Sequence, residues 1–175
     1  GGGGRLVCAA RSAARRGGVV ARRRSRAVGT RRLNDHAALG RGVPHACATP
    51  EDFCAHLNAV NDEDFVACLD IGHAEMRGMN TSAVALIHAL GSKLQALHIH
   101  DNDLWHDSHQ LPGSMQINFN EILKTLRQIG YRGYFTLEAR KYLRAYTPQT
   151  AFDGLWALAD SAQRLAVLYE TEEQL

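Results

Sequence analysis

From residue 49 onward, short continuous apolar runs alternate with apolar stripes at helical spacing. Thr49-Pro50-Glu51-Asp52 writes a helix start: a hydroxyl that can cap, a proline tolerated at the first helical position, and two acids at the positive end of the macrodipole. The spacing predicts that this helix runs to Val60. Phe65-Val66-Ala67-Cys68-Leu69 is too short for a buried helix and is stopped by Asp70-Ile71-Gly72, so it predicts a buried strand. A helix over 81–90 follows, with Thr81 or Ser82 near its cap, Ala83, Leu86, Ile87 and Leu90 on one face, and Gly91 as its stop. The next strand runs from Leu94 to His100.

The pattern then repeats. After a polar loop at 101–116, Phe119, Ile122, Leu123, Leu126 and Ile129 mark an amphipathic helix ended by Gly130, and Tyr134 to Glu138 reads as a strand. A last helix follows Pro148, its stripe including Phe152, Leu155, Trp156, Ala159, Ala162, Leu165 and Tyr169. Strands alternating with helices imply parallel strands joined by crossover helices, so the predicted class is α/β.

Charge divides the chain in two. Residues 1–48 hold eleven arginines, no lysine and one acid, Asp35, whereas residues 49–175 hold nine basic and seventeen acidic groups, a balance of −8. The basic stretch also contains nine of the sixteen glycines and no aromatic residue, so it supplies little core. Its arginines invite comparison with a transit peptide or a nucleic-acid-binding arm, but it has only Ser12 and Ser25, and no aromatic ring interleaves with the arginines. Its Gly, Ala, Arg and Val bias and its start on four glycines fit foreign or out-of-frame sequence better. The expected division is therefore a 1–48 leader, disordered or non-native, and a folded portion at 49–175. No apolar run approaches the roughly 18 residues of a membrane span. Cys8, Cys47, Cys54 and Cys68 are scattered without a CxxC pair, as expected of thiols in the reducing cytoplasm.

Parallel α/β architectures gather chemistry where strands end. Asp70 ends the first predicted strand with His73 just beyond it, His98 and His100 end the second, and Glu138 ends the third. Singly, each residue has an ordinary use: Asp70 as a turn cap, His98 as a bonded core histidine, Glu138 as a surface partner for Arg140. Three successive strands finishing in a carboxylate or imidazole instead predict convergence on one cation, a mixed site suited to Mn²⁺, Zn²⁺ or Mg²⁺. The loop His98-Ile99-His100-Asp101-Asn102-Asp103, continuing to Asp107-Ser108-His109, is then expected at the mouth of that site, with Asp103 and His106 as solvated loop residues.

These residues resemble the xylose isomerase-like TIM-barrel superfamily, the sugar phosphate isomerase/epimerase group that also includes endonuclease IV. The motifs are Leu69-Asp70-Ile71-Gly72-His73, His98-Ile99-His100-Asp101-Asn102, Asp107-Ser108-His109 before Leu-Pro-Gly, Ile117-Asn118-Phe119, Gly130-Tyr131-Arg132-Gly133-Tyr134 and Phe135-Thr136-Leu137-Glu138. Their order is similar to the last three βα units of such a barrel over about residues 50–170, which implies a partial (β/α)8 barrel. The resemblance implies Asp70, His98 and Glu138 as ligands of a divalent metal, Glu138 also as a proton-transfer group, and His73 as a catalytic residue near substrate. It further implies Asp107 and His109 as a pair that holds another zinc in the nuclease branch. His73, His100, Asp101 and Asn102 are the expected substrate contacts.

The reaction so implied is isomerisation or epimerisation of a sugar or sugar phosphate, with proton transfer through a metal-stabilised enediolate. Two departures stand out. Ketose 3-epimerases place an arginine shortly after the metal-binding histidine, where this chain has Leu104 and Trp105, and residues 1–48 contain no glutamate to serve as the family's other catalytic carboxylate. A barrel needs eight strands, so a chain carrying three is expected to have little activity alone, and its open edges would invite association into an oligomer. A zinc-dependent phosphodiesterase acting on abasic DNA is the alternative, disfavoured by the −8 balance of residues 49–175. An inactive barrel remnant with a nucleic-acid-binding leader is the non-enzymatic alternative.

Overall fold

The computed structural model describes residues 8–11, 49–63, 65–172 and 175. The expectation for the leader lies outside these residues, apart from Cys8–Arg11, which form a strand, β1. There follow α1 (Pro50–Val60), β2 (Ala67–Asp70), the single turn α2 (Ile71–Ala74), α3 (Ala83–Leu90), β3 (Leu94–Ile99), α4 (Phe119–Gln128), β4 (Tyr134–Leu137) and α5 (Ala151–Thr171).

Local chemistry sets the boundaries. Thr49 Oγ1 accepts from the Asp52 amide with Pro50 in the first turn, Ser82 Oγ accepts from Ala85, and Asn118 Oδ1 accepts from Glu121. Helix α4 ends where Gly130, at φ +65°, turns the chain so that the Tyr131 amide bonds back to Leu126. The first expected strand begins two residues late, at Ala67, because Phe65 is held in a turn by its amide bond to the Asp62 carbonyl.

The sheet order is β1-β4-β3-β2, with β2, β3 and β4 mutually parallel and β1 antiparallel to β4. The parallel part is the α/β arrangement of a partial TIM barrel. The strand β1 was not expected, since an Arg- and Gly-rich stretch carries no apolar alternation to announce it. Period two divides the parallel strands into two faces. Leu69, Leu97, Ile99, Phe135 and Leu137 are buried in one core with Phe53 and Leu57 of α1, Leu86 and Ile87 of α3, Leu123 and Leu126 of α4, and Leu158 and Leu165 of α5. Cys68, Asp70, Ala96, His98 and Thr136 alternate with them along the strands and supply the opposite face.

Leu97 sits at the middle of that core with no exposed surface. Leu97→Ala is expected to cost about 2–5 kcal/mol by urea denaturation, the range for a leucine whose site cannot collapse. A cost near zero would contradict the packing described.

Candidate functional site

The parallel register brings the three strand ends side by side. Asp70 lies opposite His98, and His98 opposite Thr136. The Glu138 amide donates to the Ile99 carbonyl at 2.8 Å, which continues the ladder one residue beyond β4. Asp70, His98 and Glu138 thus each offer a donor atom within 4.8 Å of the others, and His98 Nδ1 is 3.2 Å from Glu138 Oε2. Asp70 is also a cap: its Oδ1 accepts from the His73 amide at 3.0 Å and starts α2. The ordinary use and the clustered use coexist in one side chain.

A second set of donors adjoins the first. His73, His100, Asp107 and His109 also offer atoms within 4.8 Å of one another. Asp107 Oδ1 is 3.2 Å from His73 Nε2 and 2.8 Å from His109 Nε2. Asp70 joins the two sets, with Oδ2 at 2.9 Å from His73 Nδ1 and Oδ1 at 3.2 Å from His100 Nε2. The His109 Nδ1 is 2.6 Å from the Glu138 carbonyl, which can only accept, so that nitrogen carries the hydrogen. Nε2 of a neutral His109 would then face a carboxylate with its lone pair, an arrangement that needs a proton or a metal cation between the two.

Burial makes the same demand. His100 has no exposed surface and stacks on His109 at 3.9 Å; its Nε2 faces Asp70, but its Nδ1 is buried with no hydrogen-bond partner. Orphaned imidazole nitrogens in the interior are costly unless something binds them. Gly72 is required beneath the His100 ring, because a Cβ there would come within 2.1 Å of it. Both donor sets fit divalent ions: two carboxylates and one imidazole suit Mn²⁺, Mg²⁺ or Zn²⁺, and three imidazoles with one carboxylate suit Zn²⁺.

Electrostatics follow from this crowding. Burial alone would raise the Asp70 carboxyl, but His100 and His73 outweigh it and hold the group well below the usual carboxylate range. Asp107 is likewise held low by His109 and His73 against burial. His98, beside the Cys68 sulfur and the Glu138 carboxylate, is pushed up to about 10 despite partial burial. His73 is lowered by burial but raised more by Asp107 and Asp70, again to about 10. Glu138 is lowered by His98.

The remaining expected residues take different places. Asp101 is fully buried and accepts from the amides of Asn102, Met115 and Ile117. Asn102 is also fully buried, donating to the Gly72 carbonyl and accepting from the Leu104 amide. Both hold the loop together, so their placement lends the substrate-contact role no support. Asp103 and His106 pair with each other at 2.7 Å on the exposed outer turn. Sequence reasoning missed two neighbours. Cys68 shares a face with Asp70, which period two reveals, while Lys141, whose Nζ contacts the Asp107 carbonyl oxygen and lies 3.2 Å from its Oδ2, gave no signal at all.

The sequence model of the family described as xylose isomerase-like TIM barrel matches residues 29–161, a span that starts upstream of the expected boundary at residue 49. An uncharacterized protein of Methanocaldococcus jannaschii is 32% identical over 90 residues, which is 51% of this chain and 31% of that protein. Fructoselysine 3-epimerase of Escherichia coli O157:H7 is 41% identical over 49 residues, 28% of this chain and 18% of the enzyme. The chain therefore spans less than a third of the length of these curated relatives. Among solved structures, a D-tagatose 3-epimerase-like protein aligns with a TM-score of 0.48 and 21% identity, covering 71% of this chain and 45% of that one.

In the metal-free chain, the raised values of His73 and His98 mean that the folded state binds their protons more tightly than the unfolded state. Their contribution to stability is fully present below the ordinary histidine value of 6.5 and is lost as pH rises toward about 10. The urea midpoint of the metal-free chain should accordingly fall between pH 7 and pH 10. A midpoint that is flat or rises across that window would contradict the pairing.

Proposed function

The chain belongs to the xylose isomerase-like TIM-barrel family, and from that premise we propose that it carries the metal-binding rim of a sugar or sugar-phosphate isomerase or epimerase. The observation that supports this reading is the approach of Asp70, His98 and Glu138, from three successive parallel strands, to within 4.8 Å of one another. A divalent cation held there, Mn²⁺, Zn²⁺ or Mg²⁺, would polarise the substrate carbonyl and acidify the adjacent C–H. Glu138, kept ionised by His98, is the base that takes that proton. His73, pinned between the carboxylates of Asp70 and Asp107, holds a proton beside the site and would meet a substrate oxygen by exchanging its Nε2 contact with Asp107 for it.

Returning the proton to the opposite face, as epimerisation requires, calls for a second acid, and no other carboxylate shares the Asp70, His98 and Glu138 set among the described residues. Low turnover by this chain alone follows. Small sugars are the proposed partners, and the cytoplasm the proposed setting, where Cys54 and Cys68 carry thiols. No helix among the described residues is long and apolar enough to cross a membrane.

The second donor set favours another reading, a zinc-dependent phosphodiesterase, because three imidazoles around Asp107 are zinc chemistry. The −8 balance of residues 49–175 opposes it, since phosphate backbones seek basic surfaces.

Titration with Mn²⁺ followed by electron paramagnetic resonance separates these readings. The isomerase reading expects Mn²⁺ binding that weakens at least about tenfold in Asp70→Asn and Glu138→Gln, a spectrum perturbed by added D-fructose, and no cleavage of abasic duplex DNA by the zinc-loaded chain. Mn²⁺ binding indifferent to both substitutions, or zinc-dependent nicking of abasic duplex, would overturn it; robust sugar turnover by the 175-residue chain would overturn the low-activity expectation.

A further inference from the structure

Trp105 is 62% exposed, in the loop that runs from β3 to the second donor set. An exposed apolar ring by itself needs no explanation. This ring differs in being held in a fixed setting. The Trp105 and His106 amides both donate to Asp103 Oδ1, at 2.9 and 2.6 Å, and the loop is tied to the α2 segment by the Arg77 amide, which donates to the Leu104 carbonyl at 2.8 Å. The Arg77 guanidinium then lies over the indole, 4.8 Å from the ring centroid.

The pair adjoins the candidate centre through the chain on both sides. Arg77 follows His73 by four residues, in the turn after α2, Trp105 stands two residues before Asp107, and those two site residues touch at 3.2 Å. A guanidinium held against an aromatic face spends none of its N–H donors on the ring, which leaves them for a carboxylate or phosphate. The rest of the indole offers an apolar surface to the C–H groups of a sugar. In a portion of chain with a balance of −8, an anionic ligand needs a local cation to offset that field; Lys141 is already paired with Asp107, whereas Arg77 is exposed.

We propose that Trp105 and Arg77 form a subsite for the distal end of a sugar that carries an anionic group, a phosphate ester or a carboxylate. The proposal rests on the sugar-isomerase reading of the neighbouring centre and adds the class of sugar that it takes. Arg77 binds the anion, and Trp105 both orients Arg77 and supports the sugar.

The chain has two tryptophans, Trp105 and Trp156, the latter exposed on α5, so Trp156→Phe leaves Trp105 as the sole indole reporter. Fluorescence of this variant, with Mn²⁺ present, is titrated with D-fructose 6-phosphate, D-glucuronate, D-fructose and inorganic phosphate. The expected result is a change of Trp105 emission at concentrations about tenfold lower for one or both anionic sugars than for D-fructose, with that preference lost in Arg77→Gln. The two anionic sugars distinguish a phosphate from a carboxylate ligand. An unchanged emission with all four compounds, equal response to inorganic phosphate, or a preference that survives Arg77→Gln would overturn the proposal. Calorimetric Mn²⁺ binding by the Trp156→Phe chain with and without Asp70→Asn isolates the two readings: intact, Asp70-dependent Mn²⁺ binding with a silent Trp105 sinks the subsite alone, whereas loss of that dependence sinks the isomerase reading.

Discussion

Asp70 is a carboxylate with 3% of its surface exposed, and keeping it ionised there is the constraint around which the site is arranged. Its neighbours satisfy it from both sides: His73 at one oxygen, His100 at the other, and the His73 amide as a helix start. Because the same carboxylate also lies with His98 and Glu138, it links one donor set to the other. Positive charge, whether as protons on imidazoles or as bound cations, is required by this geometry. The histidines displaced toward pKa values of about 10 are the proton form of that requirement.

The fold supplies the precision. Strands of four to six residues are short, and their hydrophobic face is sealed by helices, so the opposite face is left to carry polar groups. Parallel register then fixes which groups meet: a slip by one residue between β2 and β3 would turn the ligand-bearing side chain into the helical layer. The loop after β3 adds His100, Asp107 and His109 to His73 of α2, and it is stiffened by Asp101 and Asn102, whose side chains are consumed by backbone partners.

Much of this was legible because it obeys short-range periodicity. The capping residues Thr49 and Ser82, the apolar stripes, and the polar residue closing each parallel strand all follow from patterns a few residues long. What was not legible depends on the path of the chain through space. The antiparallel β1 has no alternating pattern and is placed by the open edge of β4. His100 sits stacked on His109, and Lys141 reaches Asp107, only because a loop of many residues folds back between them. Asp101 and Asn102 show the limit from the other side: no short-range pattern announces that their side chains bond the backbone of the loop.

The most direct test is pulsed electron paramagnetic resonance of the Mn²⁺-loaded chain, counting coordinated imidazole nitrogens. A cation shared by Asp70, His98 and Glu138 has one imidazole ligand, and its nitrogen signal vanishes in His98→Gln. Two or more imidazoles, or a signal that persists in His98→Gln, would place the ion among His73, His100 and His109 and contradict the account.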